Sequence, residues 1–437
     1  MAATLTRKPG FDQESFEGFL AARKNEPAWL TAQRRAAWQQ FLELPMPNRT
    51  EEEWMRTDIR LFKWDNYTLP QLATAPEAAE LPELLAHGVD LAGHIVTSDS
   101  RVTRTDLDPA LAKQGVIFGS LDELAVKHSD LVQKHLFQTI SPDVDRFAAL
   151  HAAAWSGGAL LYVPRGVKLD RPLHHFSQLA AGGIDTGHLL VILDEGAEAT
   201  LLSETASANE SNALHCGGIE LVVNAGAKLR YVNLQNWGHA VWHFAHQKAV
   251  VGRGAQLQWT IGALGAKLAK VNQHVTLAGR DAFAQVNGVM FTEGKQHLTY
   301  NTLQHHESEN CKSDLLYKGA LQDKSRLVWR GMIKVDVGAQ KTDGYQRNDN
   351  LMLSADSRAD SIPGLEIEAD DVRCTHGATA GRVDDEQVFY CQSRGLTRKE
   401  AIRTVVTGFF QQVFDRITID SVREALGEAI RRRVRDF

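Results

Sequence analysis

The chain has few cysteines, no nucleotide-binding loop and no long apolar run. Its 437 residues include only four cysteines, which are Cys216, Cys311, Cys374 and Cys391. They are too few and too scattered for a disulfide framework, so we expect reduced thiols. The pattern GxxxxGK followed by Ser or Thr is absent, which argues against an ATPase site on this chain. No stretch approaches the roughly 18 consecutive apolar residues of a membrane-spanning helix.

An excess of basic residues is also missing. The chain has 48 Lys and Arg against 54 Asp and Glu, a formal net charge of −6. A nucleic-acid-binding protein would usually show the opposite balance. The first ten residues contain no apolar segment of the secretory type, so we expect a cytoplasmic protein. Nucleic acid and membranes are therefore not expected as partners.

The first 65 residues show helical periodicity and a concentration of tryptophan. Four of the nine tryptophans lie here, at Trp29, Trp38, Trp54 and Trp64. We interpret them as the core of a small helical region, and the alternative is an aromatic docking face for a partner. Thr50 and Glu53 have capping-box spacing and predict a third helix through Trp54. Residues 73–80 lack a clean period and are interpreted as a linker.

From about residue 159 to residue 370 the apolar runs become short, β-branched and interrupted by Gly or Asn. A small residue recurs at intervals of about thirty residues, each time just before a new strand. These positions are Ala197, Ala227, Ala255 and Ala282. Such a repeat is typical of a β-solenoid, in which each coil stacks on the next. Alternation predicts that Leu257, Trp259 and Ile261 point inward. A β-sandwich, the alternative, would show shorter strand spacing and no long period.

Helical periodicity returns after residue 384. Thr397 with Glu400, and Ser421 with Glu424, have capping-box spacing ahead of apolar helical patterns. We therefore predict a mainly β fold, a right-handed β-helix core flanked by N-terminal and C-terminal α-helical regions. The predicted divisions are 1–112 for the N-terminal helical region and linker, 113–383 for the β-helix with short entry helices, and 384–437 for the C-terminal helical region.

The strongest chemical pattern is a thiol and an imidazole two residues apart, Cys374 and His376, within the acid-rich residues 366–386. In an extended segment, residues i and i+2 point the same way, so the two side chains could face one object. Thiolate and imidazole are both ligands for iron or zinc. Two ligands do not complete a metal site, so any others must come from elsewhere in the chain or from a partner. The alternative for Cys374 is an ordinary small buried residue.

Two further patches are rich in histidine. They contain His239, His243 and His246, and then His305, His306 and Cys311. A metal site could use His305 or His306 together with Cys311. Neighbouring strand residues point to opposite faces, so both histidines cannot serve one ion without a bulge. We interpret these histidines as hydrogen-bonded structural residues, and the three cysteines other than Cys374 as structural.

Residues 147–172 and 366–395 together resemble the entry and exit of the solenoid in the SufB/SufD family of iron–sulfur cluster assembly proteins. The second stretch includes the motifs Cys-Thr-His-Gly-Ala-Thr, Asp-Asp-Glu-Gln-Val-Phe-Tyr and Ser-Arg-Gly. Within that family the Cys-x-His-Gly-Ala-Thr motif is similar to the SufD branch. The cluster-scaffold cysteine of the SufB branch lies in a stretch comparable to residues 346–352, which contain no cysteine here.

The resemblance implies a non-enzymatic subunit of a SufBCD-type complex. It implies that the solenoid pairs with a SufB-like subunit and that the C-terminal helices dock a SufC-like ATPase. ATP-driven motion would then open an assembly site at the subunit interface, with Cys374 and His376 as metal ligands there. The expected cofactor is a transient iron–sulfur cluster in the complex, with none tightly bound to the chain alone. A homodimer is a further possibility for the isolated chain. The alternative function is a solenoid enzyme, either metal-dependent or carbohydrate-active.

Overall fold

The computed structural model describes residues 10–70, 81–208 and 212–434. Within these ranges two long β-sheets face each other, and most successive strands alternate between them. Neighbouring strands in each sheet are parallel along most of its length, so the chain coils as a solenoid. Helices lie before and after the solenoid. The predicted mainly β fold with a solenoid core and flanking helices is confirmed.

The strands have the following bounds. They are β1 (Gly93–Ser98), β2 (Arg101–Leu107), β3 (Ile117–Ser120), β4 (Gly158–Val163), β5 (Leu173–Leu179), β6 (Ile184–Asp185), β7 (His188–Leu193), β8 (Glu198–Ser207), β9 (Leu214–Val223), β10 (Lys228–Asn236), β11 (Trp242–Val251), β12 (Gln256–Ala263), β13 (Leu268–Leu277), β14 (Phe283–Thr292), β15 (His297–His306), β16 (Lys312–Leu321), β17 (Arg326–Val335), β18 (Asp343–Met352), β19 (Arg358–Ile367) and β20 (Arg373–Arg382). The sheet that we call the ten-stranded sheet has the order β2-β1-β5-β8-β10-β12-β14-β16-β18-β20. The second sheet has nine strands in the order β19-β17-β15-β13-β11-β9-β7-β4-β3, and the two-residue strand β6 joins it by pairing with β9.

The α-helices fall into an N-terminal group, a short entry group and a C-terminal group. They are α1 (Gln13–Ala21), α2 (Ala28–Glu43), α3 (Pro109–Lys113), α4 (Leu121–Lys127), α5 (Ser129–His135), α6 (Arg146–Ala154), α7 (Asp385–Ser393), α8 (Arg398–Phe414) and α9 (Asp420–Arg433). In the ranges that the structure describes, no helix is both long enough and apolar enough to cross a membrane.

The four recurring alanines are almost completely buried at corners of the solenoid. At the second of these corners, the N–H of Ala227 donates to the carbonyl oxygen of Asn224 at 3.0 Å. One of the two residues between them, Gly226, has a φ of 67°, a left-handed conformation that favours glycine. Cys311 fills the corresponding corner of a later coil, because the strands that follow it and Ala282 are in register. Its complete burial supports the structural interpretation of this cysteine.

The two ends of the solenoid differ. At its beginning, β2 pairs antiparallel with β1 and β3 pairs antiparallel with β4, so antiparallel strands close the parallel stack. At the other end, β19 and β20 each have a strand partner on one side only within the described residues. The outer strand β2 carries Arg104 and Asp106, exposed charges of the kind that discourage further strand pairing. Residues 374–381 of β20 contain no Asp, Glu, Lys or Arg.

The N-terminal tryptophans belong to an aromatic core between the helices and the second sheet. Trp38 stacks on Phe16 with ring centroids 4.3 Å apart. Trp54 stacks on Phe147 of α6 at 5.6 Å. Both tryptophans are at least 97% buried, with 2% and 3% of their surface exposed. This burial favours the core interpretation over an aromatic docking face.

Local packing overrides two of the predicted helix starts. Residues 50–54 form turns and not a third helix, because the Thr50 hydroxyl bonds to the Asn48 side-chain oxygen at 2.5 Å and Trp54 is drawn into the core. Helix α9 begins at Asp420, so Ser421 lies inside it and is not its cap. The Thr397 capping box is confirmed. Strands β1 and β2 lie in a passage without clear period, and residues 73–80, interpreted as a linker, lie outside the described residues.

The C-terminal helices cover the outward face of the ten-stranded sheet. Phe410 of α8 and Leu426 of α9 are buried in one apolar cluster with Val232 of β10 and Val289 of β14. Polar contacts join the same surfaces: the Lys318 ammonium donates to the carbonyl oxygen of Phe409 at 2.9 Å. The C-terminal helices are therefore fixed to the solenoid over several coils.

The inward position of Trp259 gives a direct test of the solenoid. Trp259 is completely buried, whereas its neighbour Gln258 points to the other side of β12 and is partly exposed. We expect Trp259→Ala to lower the free energy of unfolding by about 3–5 kcal/mol, because it leaves a large cavity. Gln258→Ala should change it by less than about 0.5 kcal/mol. Urea unfolding of both variants measures the difference, and equal effects would contradict the assignment of inward and outward faces.

Buried histidines predict sensitivity to acid. Burial lowers the pKa of His175, His297 and His306 to about 4 and that of His274 to about 3, from an ordinary value of 6.5. Between pH 6.5 and about 4 the unfolded chain therefore binds more protons than the folded chain, and the free energy of unfolding falls as the pH falls. Urea midpoints should be lower at pH 5 than at pH 7. The variant His306→Gln, with no titrating ring, should show a smaller fall, and an unchanged pH dependence would argue against this cause.

Candidate functional site

Cys374 and His376 lie on β20, the last strand of the ten-stranded sheet. Because they are two residues apart on one strand, both side chains are on the same face, as the sequence predicted. In register, Cys374 is opposite Gly344 and His376 is opposite Gln346 of β18. The structure thus places the pair at the uncapped end of the solenoid. There the backbone of β20 pairs with β18 along one edge, and its other edge has no strand partner within the described residues.

The two side chains differ in environment. Cys374 is half-buried and packs against the small apolar cluster of Ile333, Val335, Ala339 and Ala369. Burial raises the pKa of its thiol, and nearby Asp343 adds to this rise against a backbone hydrogen bond from Gly344. At neutral pH the sulfur is therefore a protonated thiol, and metal binding would release its proton. His376 is exposed.

The surroundings of this pair combine apolar and charged groups. Val337, Leu365 and Ile367 at the same end of the solenoid are 67%, 37% and 40% exposed. An ion pair between Lys334 and Glu366, at 3.1 Å, lies beside them on β17 and β19. Exposed aliphatic side chains next to unpaired strand edges are typical of an interaction surface. Within the described residues, no group of three potential metal ligands includes Cys374 or His376.

The alternative ligands around residue 305 do not converge. His305 contacts Asp336 at 2.9 Å, and His306, on the opposite face of β15, contacts Ser313 at 2.8 Å. The sulfur of Cys311 is 3.2 Å from the carbonyl oxygen of Gly279. Each side chain has its own hydrogen-bond partner, which fits the structural interpretation of this patch. In the other patch, His246 contacts Asp145 and His243 contacts His215.

A polar section of the interior was missed by the sequence analysis. Leu257, Trp259 and Ile261 are buried as predicted, but the inward rows become polar in earlier coils. One row reads His175, Ser203, Asn233 and then Ile261 across four neighbouring strands. His175, Ser203 and Asn233 line an internal cavity together with His215 and His243, whose Nδ1 atoms are 2.8 Å apart. The alternation of polar and apolar residues within one strand does not predict this change from apolar to polar inward positions. The change becomes visible only when equivalent positions of neighbouring strands are compared.

A second group missed by the sequence analysis lies on the outward face near the beginning of the same sheet. It consists of Glu83, His94 and His174, whose potential ligand atoms all lie within 4.8 Å of one another. The two histidines are neighbours because His94 of β1 pairs in register with His174 of β5. No sequence pattern joins residues so far apart in the chain, and only the strand register reveals the group.

The fold and site together define a β-solenoid scaffold with a candidate ligand pair at its open end. The chain belongs to the SufBD family of iron–sulfur cluster assembly proteins. Residues 176–409 match the family model described as SUF system FeS cluster assembly, SufBD core domain. Residues 19–174 match the model of the SufBD protein N-terminal region. The two matches cover most of the chain, and the family is named for assembly and not for a catalysed reaction.

Individual relatives agree with this assignment. An iron–sulfur cluster assembly SufBD family protein of Staphylococcus saprophyticus is 29% identical over 412 residues, which cover 90% of this chain and 86% of that protein. The iron–sulfur cluster assembly protein SufB of Bacillus subtilis is 28% identical over 411 residues, with the same coverage of 90% and 86%. These names support the family and do not distinguish its two branches.

Proposed function

We propose that the chain is a SufD-like, non-enzymatic subunit of a cytoplasmic SufBCD-type complex. In this proposal it contributes half of an iron–sulfur cluster assembly site. The observation that carries the proposal is the position of Cys374 and His376 on one face of the uncapped last strand. Membership of the SufBD family supports the connection to cluster assembly.

The distribution of cysteine favours the SufD branch over the SufB branch. Residues 346–352, comparable to the scaffold-cysteine stretch of SufB, lie in β18 and contain no cysteine. The thiol at this end of the solenoid belongs instead to the neighbouring strand β20. A chain with this arrangement offers one thiolate and one imidazole, whereas an iron–sulfur cluster is usually held by about four ligands. The remaining ligands would come from a SufB-like partner.

The open edges of β19 and β20 suit a partner that adds strands. Unpaired N–H and C=O groups at a sheet edge can bond to a strand of another chain. The small side chains at residues 377–381 allow a partner backbone to come close to β20. We propose a SufB-like solenoid as the partner. In the isolated chain, a second copy would pair through the same edges and form a homodimer. Pairing would bring the partner's ligands next to Cys374.

Helix α7 is the surface that we propose for a SufC-like ATPase. Phe389 and Tyr390 on this helix are 72% and 59% exposed. The following helices α8 and α9 are instead packed on the solenoid, and Arg416, in the link between them, contacts Asp314 of β16 at 2.9 Å. Force applied by an ATPase at α7 would therefore reach strands of the same sheet as β20. This offers a physical route by which ATP-driven motion could open the interface.

The ligand pair can be tested without disturbing the fold. We expect Cys374→Ser and His376→Ala each to lower the iron–sulfur cluster content of the assembled complex at least severalfold, because each removes one ligand. Since both positions are partly or fully exposed, the free energy of unfolding should change by less than about 1 kcal/mol. Iron and sulfide analysis and visible absorption of the anaerobically reconstituted complex measure the content.

The matched control for these variants is Thr375→Ala, an exposed residue between them on the opposite face of β20. It should leave cluster content unchanged. Full cluster content in both ligand variants, in complexes that assemble normally, would show that the pair does not hold the cluster.

Docking of the ATPase can be tested by point substitution at α7. Deleting residues 384–437 would uncover the apolar sheet face beneath α8 and α9, so its effect could not be assigned to docking. We expect the double variant Phe389→Ser/Tyr390→Ser to weaken binding of a SufC-like ATPase at least tenfold, about 1.4 kcal/mol. Titration calorimetry measures the Kd. Leu61→Ser, at a residue 77% exposed in the N-terminal region, is the control, and unchanged binding in the double variant would remove α7 from the docking surface.

A further inference from the structure

Glu83, His94 and His174 form a compact group on the outward face of the ten-stranded sheet. The Nε2 atom of His94 is 3.3 Å from a carboxylate oxygen of Glu83, and the Nδ1 atom of His174 is 3.6 Å from the same oxygen. The two imidazole rings are neighbours with centroids 5.0 Å apart. Three potential ligand atoms from three parts of the fold therefore face one small volume.

Both histidine nitrogens that face this volume are buried. The His174 side chain is fully buried, 9% of the His94 side chain is exposed, and 30% of that of Glu83 is exposed. Neither His94 Nε2 nor His174 Nδ1 makes a hydrogen bond of acceptable geometry within the described residues. Buried polar atoms are usually satisfied, so two such nitrogens directed at one carboxylate require an explanation.

The opposite nitrogen of His174 is held by a second carboxylate. Its Nε2 atom lies 2.9 Å from Glu204 of β8. Glu204 also accepts hydrogen bonds from the backbone N–H groups of Leu84 and Leu85, at 2.8 and 3.0 Å. In neutral His174, the proton on Nε2 is donated to Glu204, which leaves a lone pair on Nδ1 facing the Glu83 oxygen. Two electron-rich atoms that face each other in this way are stabilised by a cation between them.

We propose that Glu83, His94 and His174 bind one divalent transition-metal ion of the Zn²⁺ or Fe²⁺ type. Imidazole nitrogen and carboxylate oxygen are the ligands such ions accept. Two ligands at about 2.1 Å from a tetrahedral ion lie about 3.4 Å from each other. The distances of 3.3 and 3.6 Å to the Glu83 oxygen are close to this value. The partly exposed side of Glu83 leaves room for water as a fourth ligand.

Glu204 takes the position of a carboxylate that orients a metal-binding histidine. Its two hydrogen bonds to Leu84 and Leu85 also fix the backbone directly after Glu83, so one carboxylate positions two of the three ligands. The ion would tie the segment around Glu83 to β1 and β5. Two further charges near His94, Arg104 and Asp106 of β2, are exposed and of opposite sign.

This site is separate from the proposed cluster ligands. Seven strand steps in the ten-stranded sheet separate β5 from β20. At about 4.8 Å for each step, the separation is about 34 Å. The metal site therefore does not rest on the proposed function, and a test on the isolated chain distinguishes them.

The test uses the tag-free, full-length chain, stripped with a chelator and titrated with Zn²⁺ by calorimetry. We expect one Zn²⁺ per chain and a higher melting temperature when the metal is bound. Co²⁺ in place of Zn²⁺ should give the visible absorption of a tetrahedral site. The variants His94→Ala, His174→Ala and Glu83→Gln should each raise the Kd for Zn²⁺ at least tenfold. Glu204→Gln should raise it by about 10- to 100-fold.

Two controls locate the ion. His87→Ala removes an exposed histidine four residues from Glu83 and should leave the Kd unchanged. The double variant Cys374→Ala/His376→Ala should also keep the site, and loss of Zn²⁺ binding in this variant would place the ion at the other end of the solenoid and overturn the proposal.

If His174→Ala does not fold, the variant Glu83→Gln decides, because Glu83 is partly exposed. Absence of Zn²⁺ binding to the wild-type chain, or an unchanged Kd in Glu83→Gln, would show that these three residues do not form a metal site.

Discussion

The structure depends on hydrogen bonding between parallel strands in register. Each coil satisfies its backbone N–H and C=O groups with the coil before it and the coil after it, so only the first and last coils have groups left over. At the beginning, β2 and β3 turn antiparallel and close the stack. At the end, β19 and β20 have no such cover within the described residues. The candidate ligand pair, Cys374 and His376, lies where this bonding pattern stops.

The same pattern explains why the two ends carry different side chains. An outer strand that must not pair needs charge, and β2 supplies it with exposed arginine and aspartate. The outer strand β20 instead has Gly377, Ala378, Ala380 and Gly381 along its length, small residues that suit the strand pairing we propose for it. Cys374 and His376 lie at the start of that small-residue strand. Their partial exposure follows from the missing next coil more than from any local feature of the sequence.

The sequence was sufficient for features that repeat or that act over a few residues. The corner alanines predicted the solenoid because each coil needs a small residue at the same place, and Thr397 predicted a helix start because its cap is local. Features that arise between coils were not accessible. The polar interior row that includes Asn233, and the pairing of His94 with His174, depend on which strands become neighbours. The predicted helix at Thr50 failed because burial of Trp54 and a side-chain bond to Asn48 outweighed the capping pattern.

The repeating coils, each with a small residue at its corner, determine the length of the solenoid. Because the strands of a coil pair only with those of neighbouring coils, a whole coil of about thirty residues could be gained or lost without altering the strand pairing at either end, provided that the helices packed over several coils adjust to it. Each such change would alter the length of the solenoid by about 4.8 Å. The number of coils therefore determines the distance between the beginning of the ten-stranded sheet and β20. Relatives that differ by one coil would keep the same two ends at a different spacing, and a partner that contacts both ends would have to match that length.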